Sequence, residues 1–202
     1  MSLPIKTHQI RRVAVLGSGV MGSAIACHLA QTGSEVLLLD LPSKEGPRNS
    51  PAEGALKASL KSKPPPLYSK RFVNRIECGD FDDDLSRISE CDWIIEVVVE
   101  RLDIKQQLFE RVEKYRKPGT LISSNTSGIP ISHLSEGRSE DFQKHFCGTH
   151  FFNPPRYLQL FEIIPGPKTE SRVTEFFVEY GESILGKQSV LCKDTPAFIA
   201  NR

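Results

Sequence analysis

The sequence has little of what marks a disulfide-stapled, membrane-embedded or nucleic-acid-binding protein. Its five cysteines (Cys27, Cys78, Cys91, Cys147, Cys192) are odd in number, scattered and never in CxxC spacing. That argues against both a disulfide framework and a zinc site, and predicts a reducing, cytoplasmic interior with no metal. Apolar runs are only strand-length and the N-terminus has no hydrophobic signal region, so neither a membrane span nor secretion is supported. A formal net charge of +1 supplies no concentrated basic field and gives no reason to expect nucleic acid as the principal partner. Anion recognition would have to be local. With 39% hydrophobic and 25% charged residues over 202 positions, the chain predicts one globular domain with a proper core.

What is present is an alternation of strand and helix patterns. A β-branched run from Val13 to Leu16, a glycine turn, a helical stripe (Met21, Ala24, Ile25, His28, Leu29) and a second apolar run from Glu35 to Leu39 ending in Asp40 predict a βαβ opening. Residues 41–75 read as a surface excursion with prolines at 42, 47, 51, 64, 65 and 66 and one helix around Ala52 to Lys61. Strands are expected over Arg75 to Cys78, Trp93 to Val99, Thr120 to Ser124, Phe146 to Phe152 and Leu158 to Ile164. Helices are expected over Ile104 to Tyr115 and along Val173, Phe176, Phe177, Tyr180 and Ile184. This order implies a doubly wound α/β sheet. The chain closes on an apolar segment, Pro196 to Arg202, that reads as a helix start and suggests a piece of a longer protein.

Gly17-Ser18-Gly19-Val20-Met21-Gly22 follows the first strand, opens the first helix, and is trailed by Asp40 at the end of the next strand. That context makes a dinucleotide site. Gly17 permits the tight turn, Gly19 removes a side chain where a pyrophosphate would approach, and Gly22 lets helix and strand pack closely. Asp40 is the natural acceptor for two ribose hydroxyls and would repel a 2′-phosphate, which favours NAD over NADP. Lys44 and Arg48 keep the phosphate alternative open.

Five histidines compete for the role of a base. His8 lies near the chain end, His28 on a buried helix face, and His133 and His145 near expected surface turns. His150 sits between a strand and Asn153-Pro154-Pro155, at the carboxyl edge of the sheet where ligands bind in open α/β folds. Glu162, among Leu160, Phe161, Ile163 and Ile164, reads either as a solvated strand residue or as a buried, partnered carboxylate.

These motifs in register resemble the NAD-binding domain of L-3-hydroxyacyl-CoA dehydrogenases. The likeness runs from Arg12 to Arg202: GxGxMG, Asp40, Ile95 to Glu100 with Lys105, Ser124-Asn125-Thr126-Ser127, His150 to Pro154, Leu160-Phe161-Glu162, and Phe198 to Arg202. It is similar in particular to bacterial fatty-acid-oxidation members that place this unit ahead of an enoyl-CoA hydratase. The resemblance implies a Rossmann-type, mostly parallel sheet over residues 12–194, with an N-terminal extension at 1–11. Residues 195–202 would start a linker, or the first helix of the family's helical C-terminal domain, which is absent here.

The resemblance also implies that NAD-dependent oxidation of an acyl-CoA substrate to its 3-keto form uses His150 as base, oriented by Glu162. Ser127 and Asn201 would contact or support the substrate oxygen. Ser18, Val20, Met21, Val97, Glu100, Lys105, Asn125 and Asn153 fall on the cofactor side. Homodimer formation is expected only through the absent domain. Gly128 stands where the family commonly has a second serine, and Ala197 and Ala200 alter the terminal motif. Lys57, Lys61, Lys63, Lys70 and Arg71 are candidates for the CoA phosphates, against a plain solvated face. Two other functions fit the same motifs: a related 3-hydroxyacid or sugar-acid dehydrogenase, and a nucleotide-binding module inactive in isolation.

Overall fold

Val13 and Val15 face one side of β1 (Arg12–Leu16), Ala14 and Leu16 the other, and all four are fully buried. A strand apolar on both faces belongs inside a sheet covered by helices. β1 pairs in parallel with β2 (Glu35–Asp40) on one side and β4 (Trp93–Glu96) on the other. β3 (Ile76–Asp80) extends the sheet beyond β2. β5 (Leu121–Ser124), β6 (Phe146–Phe151), β7 (Leu160–Pro165) and β8 (Gln188–Leu191) extend it beyond β4. The order is β3-β2-β1-β4-β5-β6-β7-β8, and only the β6–β7 pair is antiparallel. The computed structural model describes residues 10–201, so His8, Arg202 and most of the expected N-terminal extension lie outside the described residues.

One core layer packs α1 (Val20–Gln31), α2 (Ser50–Ser59) and α6 (Ser171–Ser183) against the sheet through Ile25, Leu29, Leu56, Phe177 and Tyr180. The opposite layer joins α3 (Leu102–Tyr115), α4 (Ile131–Ser135) and α5 (Glu140–His145) through Phe109, Val112, Leu134 and Phe142. Helices on both faces of a mostly parallel sheet make this a doubly wound, Rossmann-type fold. The sheet reverses its order of growth at β1 and β4, which opens a crevice at their carboxyl ends.

The structure departs from the sequence reading at several points. The helical stripe of α1 is wider than expected: Gly22, Ser23, Ala26, Cys27 and Ala30 are buried along with Ile25, His28 and Leu29, whereas Met21 and Ala24 are only partly so. The cause is a second cover, because α2 and a 3₁₀ turn at Lys70–Arg75 pack against α1 as well. That turn takes Arg75, so β3 begins one residue later.

β4 stops at Glu96 rather than Val99, since the Glu96 carboxylate accepts the Val98 N–H (2.7 Å) and draws the backbone out of the ladder. The closing apolar segment forms successive turns and not a helix start, with Ala197 (φ 63°) and Phe198 (φ 49°) in the left-handed region. His145 is buried rather than superficial, with Nδ1 against the Asp141 carbonyl (2.8 Å). No helix among the described residues is long and apolar enough to cross a membrane.

Candidate active site

The glycine turn is built by close approach. Gly17 has φ 109°, and a Cβ there would lie 2.7 Å from the Val97 carbonyl oxygen. A Cβ on Gly22 would lie 1.8 Å from the Gly17 carbonyl oxygen, so the partner that Gly22 accommodates is the turn itself. Around Gly19 nothing comes within 4 Å of such an atom, which leaves open space at the tip. No side chain caps α1, and its first amides remain available to an anion. This cradle fits a pyrophosphate.

Asp40 ends β2 beside the turn. Its Oδ2 accepts the Ser18 N–H (2.7 Å) and the Ser18 hydroxyl, and its Oδ1 accepts the Leu41 N–H (2.7 Å). With Gly17, Leu41, Val98, Ile104 and Leu108 it borders a largely apolar cavity of about 370 Å³, suited to an adenosine. Arg48 is engaged by Asp80 (3.1 Å), Asp82 (3.5 Å) and Asp83 (2.7 Å). The Arg48 guanidinium in turn holds the Asp80 carboxyl down at about 2. Arg111, which also lines the cavity, pairs with Asp82 (3.2 Å), so Asp40, Asp80, Asp82 and Asp83 outnumber the two guanidiniums at this end of the crevice. That surrounding disfavours a 2′-phosphate, and NAD is the cofactor that fits.

The reactive end is made by strand register. His150 on β6 lies directly opposite Glu162 on β7, and cross-strand partners project from the same face of the sheet. His150 Nδ1 is 2.7 Å from Glu162 Oε2, with both side chains buried. The other carboxylate oxygen, Oε1, accepts the Ile199 (3.1 Å) and Ala200 (2.9 Å) N–H groups, so the turns after Thr195 complete the pair. The rings of Phe152 (4.3 Å) and Phe198 (5.9 Å) flank the imidazole.

His150 opens on a cavity of about 290 Å³ shared with Met21, Val97, Asn125, Ser127 and Asn153. The fold thus brings five of the predicted residues to the histidine. Asn125 also has a structural task, because its Oδ1 accepts the Phe151 N–H (2.8 Å). Asn201 reaches the backbone oxygen of Ser127 (3.5 Å). On the far side of the turn, Ser18, Gly19 and Val20 border a further cavity of about 400 Å³, with Ala55, Lys63 and Asn153.

Other predicted residues stand elsewhere. Lys105 is buried and paired with Glu96 (2.7 Å) and Glu100 (3.2 Å), so it lines neither the histidine cavity nor the adenosine cavity. Glu100 accepts hydrogen bonds from the Thr126 hydroxyl (2.5 Å) and from the Ser127 (2.9 Å) and Gly128 (3.0 Å) N–H groups. Burial raises its carboxyl, but the Thr126 hydroxyl and the Lys105 charge outweigh that and leave it below the usual range. Of the candidate CoA cations only Lys63 borders the 400 Å³ cavity; Lys57 pairs with Glu53 (3.7 Å) and Arg71 lies over Phe72 (5.0 Å).

Sequence reasoning gave no role to Glu96, Asp194 or Lys187. Glu96 had a signal, as the one charge in an apolar strand. Asp194 caps α4 with both oxygens, accepting the Ile131 (2.7 Å) and Ser132 (2.9 Å) N–H groups. Lys187 donates to the carbonyls of Pro155 and Leu158 (2.7 Å), and burial lowers it to about 8. Nothing local in the sequence announced either. Among the described residues, no group of three or more His, Cys, Asp or Glu side chains is placed to hold a metal.

A probable 3-hydroxyacyl-CoA dehydrogenase of Bacillus subtilis is 49% identical over 96% of this chain and 26% of its own length. A probable 3-hydroxyacyl-CoA dehydrogenase of Deinococcus radiodurans is 47% identical, over 96% of this chain and 56% of its own length. The chain therefore spans between about a quarter and just over half of these relatives. The crystal structure of 3-hydroxybutyryl-CoA dehydrogenase from Escherichia coli superposes with a TM-score of 0.81 at 33% identity, covering 96% of this chain and 40% of that one. Residues 12–195 match the family described as 3-hydroxyacyl-CoA dehydrogenase, NAD binding domain, and the chain belongs to that family.

Proposed function

We infer that this chain is the cofactor- and base-bearing unit, over residues 12–194, of an NAD-dependent dehydrogenase that oxidises an L-3-hydroxyacyl-CoA to a 3-ketoacyl-CoA, the redox step of fatty-acid β-oxidation. The observation that carries the reading is the buried His150–Glu162 pair opening on a cavity that Met21 and Val97 connect to the glycine crevice. With Nδ1 donating to Glu162, Nε2 is left to accept the proton of the 3-hydroxyl. The carboxylate fixes the ring and stabilises the imidazolium that results. NAD, when bound, supplies the acceptor for the hydride that leaves C3.

Around that step the chain's own groups bind and orient. The amides at the start of α1 hold a pyrophosphate, and Asp40 takes ribose hydroxyls. Ser127, supported by Asn201, faces the substrate oxygen, while Asn125 and Asn153 border the nicotinamide side. The cavity beside Lys63 is open to part of the CoA chain.

The reading is tested by NADH-dependent reduction of acetoacetyl-CoA and of free acetoacetate by the intact protein, with and without His150→Gln. The thioester should be turned over and the free acid not, and the variant should lose turnover while keeping NADH binding. Equal turnover of the free acid would redirect the substrate to a simple 3-hydroxyacid, and an unimpaired variant would remove His150 as the base.

A further inference from the structure

Three ionisable side chains stand in line at the carboxyl edge of the sheet and take no part in the proton transfer above. Glu96, fully buried, ends β4; its Oε1 accepts Lys105 Nζ (2.7 Å) and the Val98 N–H (2.7 Å), and its Oε2 accepts the Ser124 hydroxyl. Lys105, from the first turn of α3, also reaches the Val98 carbonyl (3.3 Å) and Glu100 Oε2 (3.2 Å). The other oxygen of Glu100 gathers Thr126, Ser127 and Gly128. Burial pushes the Glu96 carboxyl upward, and the Lys105 charge and the Ser124 hydroxyl oppose it.

An ion pair this deep is a poor device for stability alone, since apolar groups of equal volume serve a core as well or better. What it does here is geometric. It ties the loop after β4, which carries Val97 and Val98, to the loop after β5, which carries Asn125 and Ser127. Both loops border the cavity of His150.

We propose that Glu96 is a positioning residue for the nicotinamide half of the crevice: it anchors Lys105, Lys105 aims Glu100, and Glu100 fixes the 126–128 turn that presents Ser127. The inference rests on the NAD-dependent reading of the site, and it separates two parts of one ligand. The adenosine and pyrophosphate meet the glycine turn and Asp40, which these three side chains do not touch, and share with them only the Val97–Val98 backbone. The turn held by Glu100 borders the cavity of His150 alone, on the nicotinamide side.

Glu96→Gln keeps the shape and an oxygen for Val98 while removing the counter-charge. Titration calorimetry with NADH and with ADP-ribose, which lacks nicotinamide, reads the two parts separately on the intact protein. In Glu96→Gln, NADH affinity should fall about tenfold or more, the scale of one charge-assisted hydrogen bond, while ADP-ribose affinity stays within about twofold. A paired Glu96→Leu, Lys105→Met variant, which leaves no unpartnered buried charge, should show the same split if the single variant folds poorly.

Equal loss of both ligands would make Glu96 a mere scaffold residue and overturn the proposal, as would no loss of either. Failure of the unmutated protein to bind ADP-ribose or NADH would strike the cofactor reading itself and bring this inference down with it. Normal binding there with an unaltered Glu96→Gln strikes the inference alone.

Discussion

The two halves of the crevice are made from different materials. On the β1–β2 side the lining is backbone and empty space: three glycines, the uncapped amides of α1 and one carboxylate. On the β5–β8 side the lining is side chains drawn from segments far apart in sequence, with His150, Glu162 and the amides of Ile199 and Ala200 meeting only in the fold. The first kind of site fails when an atom is added, the second when one is removed.

The largest effect belongs to the side-chain half. His150→Gln should lower turnover by on the order of 10²- to 10⁴-fold, the usual contribution of a positioned general base, with NADH affinity unchanged. A variant that loses binding as well would show the halves to be one unit. Next come added atoms on the backbone side. Gly22→Ala drives a Cβ into the Gly17 carbonyl and should weaken NADH binding on the order of a hundredfold, about 2.7 kcal/mol, together with a lower Tm. Gly19→Ala meets no protein atom and should spare Tm while weakening NADH about tenfold, read by calorimetry and thermal melts. If both alanines act alike, crowding of ligand and crowding of protein are not separable here.

Asp40→Asn should cost NADH about tenfold, as one charge-assisted acceptor is lost, and narrow the preference over NADPH. An unchanged preference would assign the discrimination to Asp80, Asp82 and Asp83 instead. Two further effects, of pH, bear on stability and leave the comparison of the two halves untouched. Burial lowers His28 to about 3 from 6.5, so the unfolded chain binds the extra proton between those values and stability falls as pH drops through them. Burial lowers Lys187 to about 8 from 10.5, so stability rises as pH climbs across that window. His28→Gln should flatten the acid window only and Lys187→Met the alkaline window only, followed by urea midpoints.

The same division explains what the sequence disclosed. The β1–α1–β2 opening was readable because its chemistry is local: glycine spacing, one apolar stripe and Asp40 at a strand end. His150 and Glu162 could be nominated, yet their pairing depends on an antiparallel register that no short window contains. α4, α5 and β8 escaped because elements of four to six residues are too short to establish a period. Glu96 and Lys105 were visible as residues, while their mutual burial was not. The left-handed turn at Ala197 and Phe198 ran against an apolar pattern that reads locally as helix, since tertiary contacts with His150 and Glu162 decide that segment.

Because β6 and β7 set base and carboxylate face to face through the sheet ladder, the hairpin joining them carries no share of that alignment. Phe152 and Asn153 border the cavity of His150, but residues 154–159 beyond them can change composition while the His150–Glu162 pair stays in register. Evolution thus has a place on this scaffold to retune which molecule is admitted without rewriting how it reacts.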